Sequence, residues 1–239
     1  TNDVAGYDAA RKLAILASIG FHANVTFDDV LVEGIEKISQ NDVQYASEMG
    51  YTIKLLAVAI RQENGIALNV YPAFVPRSHP LASVKGSYNA IYVTGNIVDD
   101  VMFYGKGAGS LPTASAVMGD VISTAKHILN HSTGTGMMLT ETKRIPFYSS
   151  LKLENSYYFR LIVDDVTGVL SQIASAYADN DISIKEVVQK SRIEDAAELM
   201  IITEKTPREN IIHVEKALQV LPCMRQVANV VRVMEDDRK

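Results

Sequence analysis

One cysteine, Cys223, stands alone in 239 residues. That excludes an internal disulfide and fits a reducing, cytoplasmic setting. No apolar run approaches the roughly 18 to 20 residues that a membrane-spanning helix needs, and the stretch Leu55 to Ile60 is far too short. Basic residues are outnumbered, 23 Lys and Arg against 28 Asp and Glu, for a formal charge of −5. No electrostatic argument therefore exists for nucleic acid or an anionic membrane as partner. His22, His127, His131 and His213 lack ligand spacing, and His79-Pro80 reads as a structural turn, so no protein-built metal site is expected. No G-x-G-x-x-G follows a first strand in a βαβ unit, which leaves out a dinucleotide-binding fingerprint. The chain opens at Thr1 rather than Met, and its natural N-terminus, with any targeting segment, is expected upstream.

What is present reads as two regions, each of the size of an ordinary domain. Tyr7 to about Ile19 is rich in Ala, Leu and Ile and predicts a helix, with Gly20 placed to end it. Ser39 with Asp42 three residues on forms a capping box for a second helix ending at Gly50. Ile53 to Ile60 predicts a largely buried strand, and Asn64-Gly65 a hairpin turn into a partner strand. Ala90 to Thr94 and Val98 to Tyr104 predict two more strands around Gly95-Asn96. A long helix follows from about Leu111 to Leu129, with Ser110 as N-cap and Pro112 in its first turn. The expectation for this region is α+β, helices on a mostly antiparallel or mixed sheet. His131 to Ser150 shows no periodicity and predicts a connection. From Tyr157 the pattern restarts as β-α-β-β-α-β, the ferredoxin-like order.

The segment DVAGYDAARK, Asp3 to Lys12, is the most informative. Asp8 and Lys12 lie four apart on one helix face, with Asp3 in the turn before it. Taken plainly, they form an exposed helix pair worth about 0.3–0.5 kcal/mol. Taken functionally, a lysine held by a carboxylate at a helix start is a positioned acid/base group. The spacing D-V-x-G-x-D-x-x-x-K, here Asp3, Val4, Gly6, Asp8 and Lys12, resembles the second half of the homoserine dehydrogenase signature. IKLLAVA, HPLASVKGSYNA (His79 to Ala90) and MFYGKGAGSLPTASAVMGDV follow in the order of that family, and the likeness covers roughly Thr1 to Asn130.

This resemblance implies an NAD(P)-dependent oxidoreductase interconverting homoserine and aspartate 4-semialdehyde in threonine and methionine biosynthesis. Lys12 is then the acid/base group at the substrate oxygen, Asp8 orients Lys12 and the amino acid, and Asp3 helps hold the substrate. It also implies that a nucleotide-binding domain and a substrate-contacting glutamate lie upstream of Asp3, and that these 239 residues alone are inactive. Gly107, Ala108 and Gly109, in the loop before a capped helix, suit a phosphate or ribose. A tight strand-to-helix turn explains the same glycines, but the resemblance places the segment from 105 to 130 near the cofactor.

VDDVTGVLSQIA, Val163 to Ala174, and the later NDISI, Asn180 to Ile184, resemble the ACT domain family over about Tyr157 to Met234. Such domains pair side by side and bind a small amino acid near the first strand-to-helix turn. The resemblance implies an effector, threonine as pathway end product, at Asp165, Gly168, Val169, Asn180 and Ile182, and a homodimer or homotetramer. Asp165 as a mere helix cap is compatible with that role. The expected partition is therefore 1–130 catalytic and substrate-binding, 131–156 linker, and 157–239 regulatory. Two rivals stand beside it: a non-catalytic amino-acid sensor, and a purely structural first domain that dimerises through its sheet. An intact Asp3, Gly6, Asp8 and Lys12 pattern favours the enzyme.

Overall fold

The computed structural model describes residues 2–132, 144–193 and 195–235. By compactness the chain falls into two units, one of 1–76 with 142–239, the other of 77–141.

The first unit begins with helix α1 (Tyr7–Phe21). Gly20 lies inside it, and the chain leaves the helix through His22, which takes the left-handed conformation (φ 52°). The expected stop at Gly20 is thus two residues early, because His22 itself adopts the left-handed turn usually given to glycine. A short strand β1 (Leu31–Val32) leads to helix α2 (Gln40–Glu48), whose N-terminus carries the predicted capping box. The Ser39 N–H and Oγ donate to Asp42 Oδ2 at 2.9 and 2.7 Å, and the Asp42 N–H returns to Ser39 Oγ at 3.3 Å. β2 (Tyr51–Gln62) and β3 (Gly65–Pro76) form the predicted hairpin, in register from Tyr51 opposite Pro76 to Gln62 opposite Gly65, so the turn is Glu63-Asn64, one residue earlier than the expected Asn64-Gly65. Their burial is the reverse of that expected. β3 is buried nearly throughout, whereas β2 is half-exposed. β2 pairs on one side only, while β3 has neighbours on both.

After the second unit come β6 (Glu154–Asp164), α4 (Val169–Ala178), β7 (Ile184–Ile193), β8 (Ala196–Thr203), the two-residue β9 (Thr206–Pro207), α5 (Arg208–Gln219) and β10 (Met224–Val233). Strand order β10-β6-β8-β7, antiparallel throughout, is the ferredoxin-like arrangement predicted. This sheet does not end at β10. Arg232 and Val233 pair in parallel with Ala73 and Phe74 of β3, so one mixed sheet runs on from the C-terminal strands into the N-terminal hairpin. Within the expected linker, residues 133–143 lie outside the described residues. Phe147 just beyond makes a bridge to Ile66 of β3.

Side-chain alternation along the strands divides the core into layers. Phe159, Leu161 and Val163 face α4 and α5, packing on Ile173, Tyr177, Val214 and Leu218. Tyr158, Met200, Val231 and Phe74 face the other way, onto Ala46 of α2. Ile66, Leu68 and Val70 of β3 share the side of Phe74 and receive Ala10, Leu13, Ala14 and Ala17 of α1.

The second unit holds β4 (Tyr88–Gly95) and β5 (Asp99–Lys106), a two-stranded antiparallel sheet, then helix α3 (Ser110–Leu129). Here the cap differs from expectation. Gly109 is the N-cap and Ser110 the first helical residue, with no side chain capping the helix. No described helix is long and apolar enough to cross a membrane, and no group of His, Cys, Asp or Glu among the described residues could hold a metal ion.

Candidate active site

The motif at the start of α1 is built around a turn. The Gly6 N–H donates to the Asp3 carbonyl (3.2 Å) and the Tyr7 N–H to the Asn2 carbonyl (2.9 Å). Gly6 is left-handed (φ 81°), and a Cβ there would meet Val70 Cγ1 at 3.0 Å and Val32 Cγ1 at 3.1 Å. Conformation and space together therefore demand glycine. With Gly6 pressed onto β3 and β1, and Ala10, Leu13 and Ala14 buried beneath, the opposite helix face turns outward with Asp8 and Lys12 on it. Lys12 Nζ lies 2.7 Å from Asp8 Oδ2, with side-chain exposures of 65% and 47%. In this chain, then, the pair is open to solvent and the attraction between its charges is screened. Asp3 is exposed in the same turn. The three acidic and basic residues singled out from the sequence are thus carried on one helix start whose placement rests on Gly6.

The candidate cofactor loop lies in the second unit. The Gly107 N–H donates to the Ser87 carbonyl (3.2 Å), and the Asn89 side chain fills the space beside Gly107 that a Cβ would occupy. Gly109 is the N-cap of α3 and brings no side chain to accept from the first-turn N–H groups. Such a helix start suits a phosphate or ribose oxygen.

At the candidate effector corner, Gly168 is the left-handed N-cap of α4 (φ 90°), with open space where a Cβ would stand. The Asp165 N–H donates to the Asp195 carbonyl at 3.0 Å. Val169 and Ile182 are different from the expectation in one respect. Their side chains are buried in the core shared by α4 and α5, and the Ile182 N–H already donates to the Tyr177 carbonyl (3.0 Å). Asn180 Nδ2 donates to the Ala176 carbonyl at the end of α4 (2.8 Å).

A group that sequence reading did not single out lies between α2 and the sheet. Arg160, on β6, donates through Nε to Asp42 Oδ1 (2.7 Å), through Nη1 to Glu198 Oε1 (3.0 Å) and through Nη2 to Ser39 Oγ (3.1 Å). Asn229 Nδ2 donates to Asp42 Oδ2 (2.8 Å) and Tyr45 to Glu198 Oε2 (2.5 Å). Asp42 is fully buried. Burial raises its pKa, but hydrogen bonds from Arg160, Ser39 and Asn229 outweigh that and hold it below the usual carboxylate range. Burial and the adjoining Glu198 push Tyr45 up to about 12. Only the local half of this network, Ser39 with Asp42, carries a sequence signal.

The α+β arrangement has solved counterparts. A homoserine dehydrogenase from Thiobacillus denitrificans matches 98% of this chain and 54% of its own, with TM-score 0.90 and 34% identity. One from S. aureus matches 98% of this chain and 55% of its own, with TM-score 0.69 and 28% identity. The fold is that of the C-terminal part of such dehydrogenases. The sequence model of homoserine dehydrogenase matches residues 1–122. The homoserine dehydrogenase of Corynebacterium glutamicum is 38% identical over 241 residues, covering 99% of this chain and 54% of that protein. That of Bacillus subtilis is 34% identical over 235 residues, covering 98% and 54%. The chain belongs to the homoserine dehydrogenase family. It spans about half the length of the curated relatives it matches.

Proposed function

We propose that this chain supplies the substrate-binding and catalytic part, with a regulatory region, of an NAD(P)-dependent homoserine dehydrogenase. The observation that carries this reading is the identity of 34–38% to enzymes of that name along nearly the whole chain, joined to a motif in which Gly6 sets Asp3, Asp8 and Lys12 on one helix start. In the reaction, homoserine's alcohol carbon loses hydride and its hydroxyl loses a proton. Gly107, Ala108 and Gly109 at the N-terminus of α3 would hold phosphate or ribose oxygens of a nicotinamide cofactor, which when bound would supply the hydride acceptor. The Lys12 amine takes the hydroxyl proton, and in the reverse direction returns it to the alkoxide oxygen formed from aspartate semialdehyde. Asp8, 2.7 Å from Lys12, holds that amine in place, and Asp3 adds a carboxylate for the substrate's ammonium.

The expected partition, 1–130 catalytic, 131–156 linking and 157–239 regulatory of ACT type, is retained as the functional division. Threonine is the effector, received at Asp165 and Gly168 where two copies pair. The test is steady-state oxidation of homoserine by the full-length protein with either nicotinamide cofactor. Lys12→Ala is expected to lower kcat by about 10²–10⁴ with a much smaller change in KM. No homoserine-dependent turnover, or a variant keeping more than about half of kcat, refutes the reading.

A further inference from the structure

A cavity of about 330 Å³ opens between α5, β10 and the segment after β1. Its volume lies at the small end of the range for metabolite sites, about 300–1,000 Å³. The wall carries Arg208, Arg232 and Lys37 against Glu33 and Glu215, with Tyr157 beside them. A bulge in β10 between Val227 and Asn229 interrupts its regular pairing and places consecutive residues along the cavity.

The guanidinium of Arg232 is fixed in advance. Its side chain is only 8% exposed and its Cζ lies 4.2 Å from the centroid of the Tyr71 ring. Through Nη1 it donates to Glu33 Oε2 at 2.8 Å. Arg208 Nη1 stands 3.6 Å from the same Glu33 oxygen, beyond hydrogen-bond reach. Two forked cations therefore converge on one carboxylate oxygen, although each could grip a carboxylate of its own. Glu33, 34% exposed, has room to leave. Lys37 and Glu215 make no ion pair among the described residues. The enclosed Tyr157 ring lies beside the same guanidinium, with Arg232 Cζ 6.0 Å from its centroid.

We propose that this cavity binds a small carboxylate-bearing molecule, whose carboxylate is taken by Arg208 and Arg232 in place of the Glu33 side chain. Lys37 adds positive charge at the rim, and Glu215 offers a partner to an amino group on the same molecule. The site is separate from the proposed effector corner, since neither Asp165 nor Gly168 lines it. It is also joined to the catalytic turn through backbone. The Glu33 N–H donates to the Val70 carbonyl (2.8 Å), and the Ile35 N–H to the Val4 carbonyl (3.0 Å), one residue from Asp3.

Calorimetric titration of the whole protein with succinate, L-serine and inorganic phosphate tests the proposal. Succinate, serine or both are expected to bind, about tenfold or more weakly to Arg208→Gln and unchanged to Asp165→Ala. Glu33→Gln is expected to bind them several-fold more tightly, because the arginines lose their internal competitor. A purely structural role for Glu33 would not produce that gain. Absence of carboxylate binding at about 10 mM, equal affinity in Arg208→Gln, binding of phosphate alone, or loss of binding in Asp165→Ala each overturns it. Arg208 is half-buried at the first position of α5, so its substitution leaves the fold intact and the outcome readable.

Discussion

Removing the Asp42 carboxylate tests whether the buried network holds α2 onto the sheet. Asp42→Ala takes away four acceptor contacts, those from Arg160 Nε, Asn229 Nδ2, and the Ser39 N–H and Oγ. Breaking a buried ion pair from one side costs about 3–5 kcal/mol, because the remaining charge stays buried. Losing the return half of the capping box adds up to about 1 kcal/mol. Arg160 keeps Glu198 at 3.0 Å, which lowers the first figure. The expected loss is therefore about 3–4 kcal/mol, a large share of the 5–15 kcal/mol typical of a domain. Urea unfolding of the chain followed by circular dichroism measures it. Replacing both partners, Asp42→Ala with Arg160→Met, should cost clearly less than the two single losses added, since no charge is then stranded. Acid provides a second readout. Because folding lowers the Asp42 pKa, its contribution is complete above the unfolded carboxylate value near ~3.9 and disappears as pH falls through the lower folded value. The wild type should lose stability in that acid range more steeply than Asp42→Ala. A single-variant loss below about 1 kcal/mol, or strict additivity in the double variant, refutes the reasoning.

Gly6→Ala is expected to cost about 1–3 kcal/mol from the left-handed backbone alone, and more if Val70 and Val32 cannot shift. Thermal unfolding reads the loss, and an unchanged midpoint would show that the turn relaxes freely. Threonine is expected to bind wild-type protein by calorimetry and to bind Asp165→Ala and Gly168→Val at least about tenfold more weakly, since Val imposes a Cβ on a residue at φ 90°. Equal binding in all three places the effector elsewhere.

Local signals were legible in the sequence, and distant ones were not. The capping box of α2, the β2–β3 hairpin and the β-α-β-β-α-β order all depend on residues within a few positions of one another, and the structure has all three, the hairpin's turn falling one residue earlier than expected. Reading IKLLAVAI as a buried strand failed because hydrophobicity does not say how many neighbours a strand has. β2 has the apolar residues but lies on the outside of β3. Helix ends were displaced where a residue other than the expected one took the special conformation, His22 instead of Gly20 and Gly109 instead of Ser110. At the candidate site, the spacing of Asp8 and Lys12 led directly to their ion pair. Nothing in the sequence joined Asp42 to Arg160, 118 residues apart, or Glu33 to Arg232, 199 apart. Those pairs exist only because β6 and β10 are laid beside the N-terminal segments.

The position of β10 between β3 and β6 has a consequence for synthesis. Strand β3 is complete by Pro76, yet its neighbour on that side begins at Met224 and pairs with it only at Arg232 and Val233. A chain emerging from the ribosome at about 5–20 residues per second holds β3 with that end of its edge bare for many seconds. β6, finished by Asp164, waits in the same way on the side that β10 will fill. Until the final strand arrives there are two partial sheets, each with an apolar, hydrogen-bond-hungry edge facing outward, the condition that invites misassembly. A nascent or truncated chain ending near Cys223 is thus a natural client for chaperones, and β10 acts as the latch that makes one sheet of two.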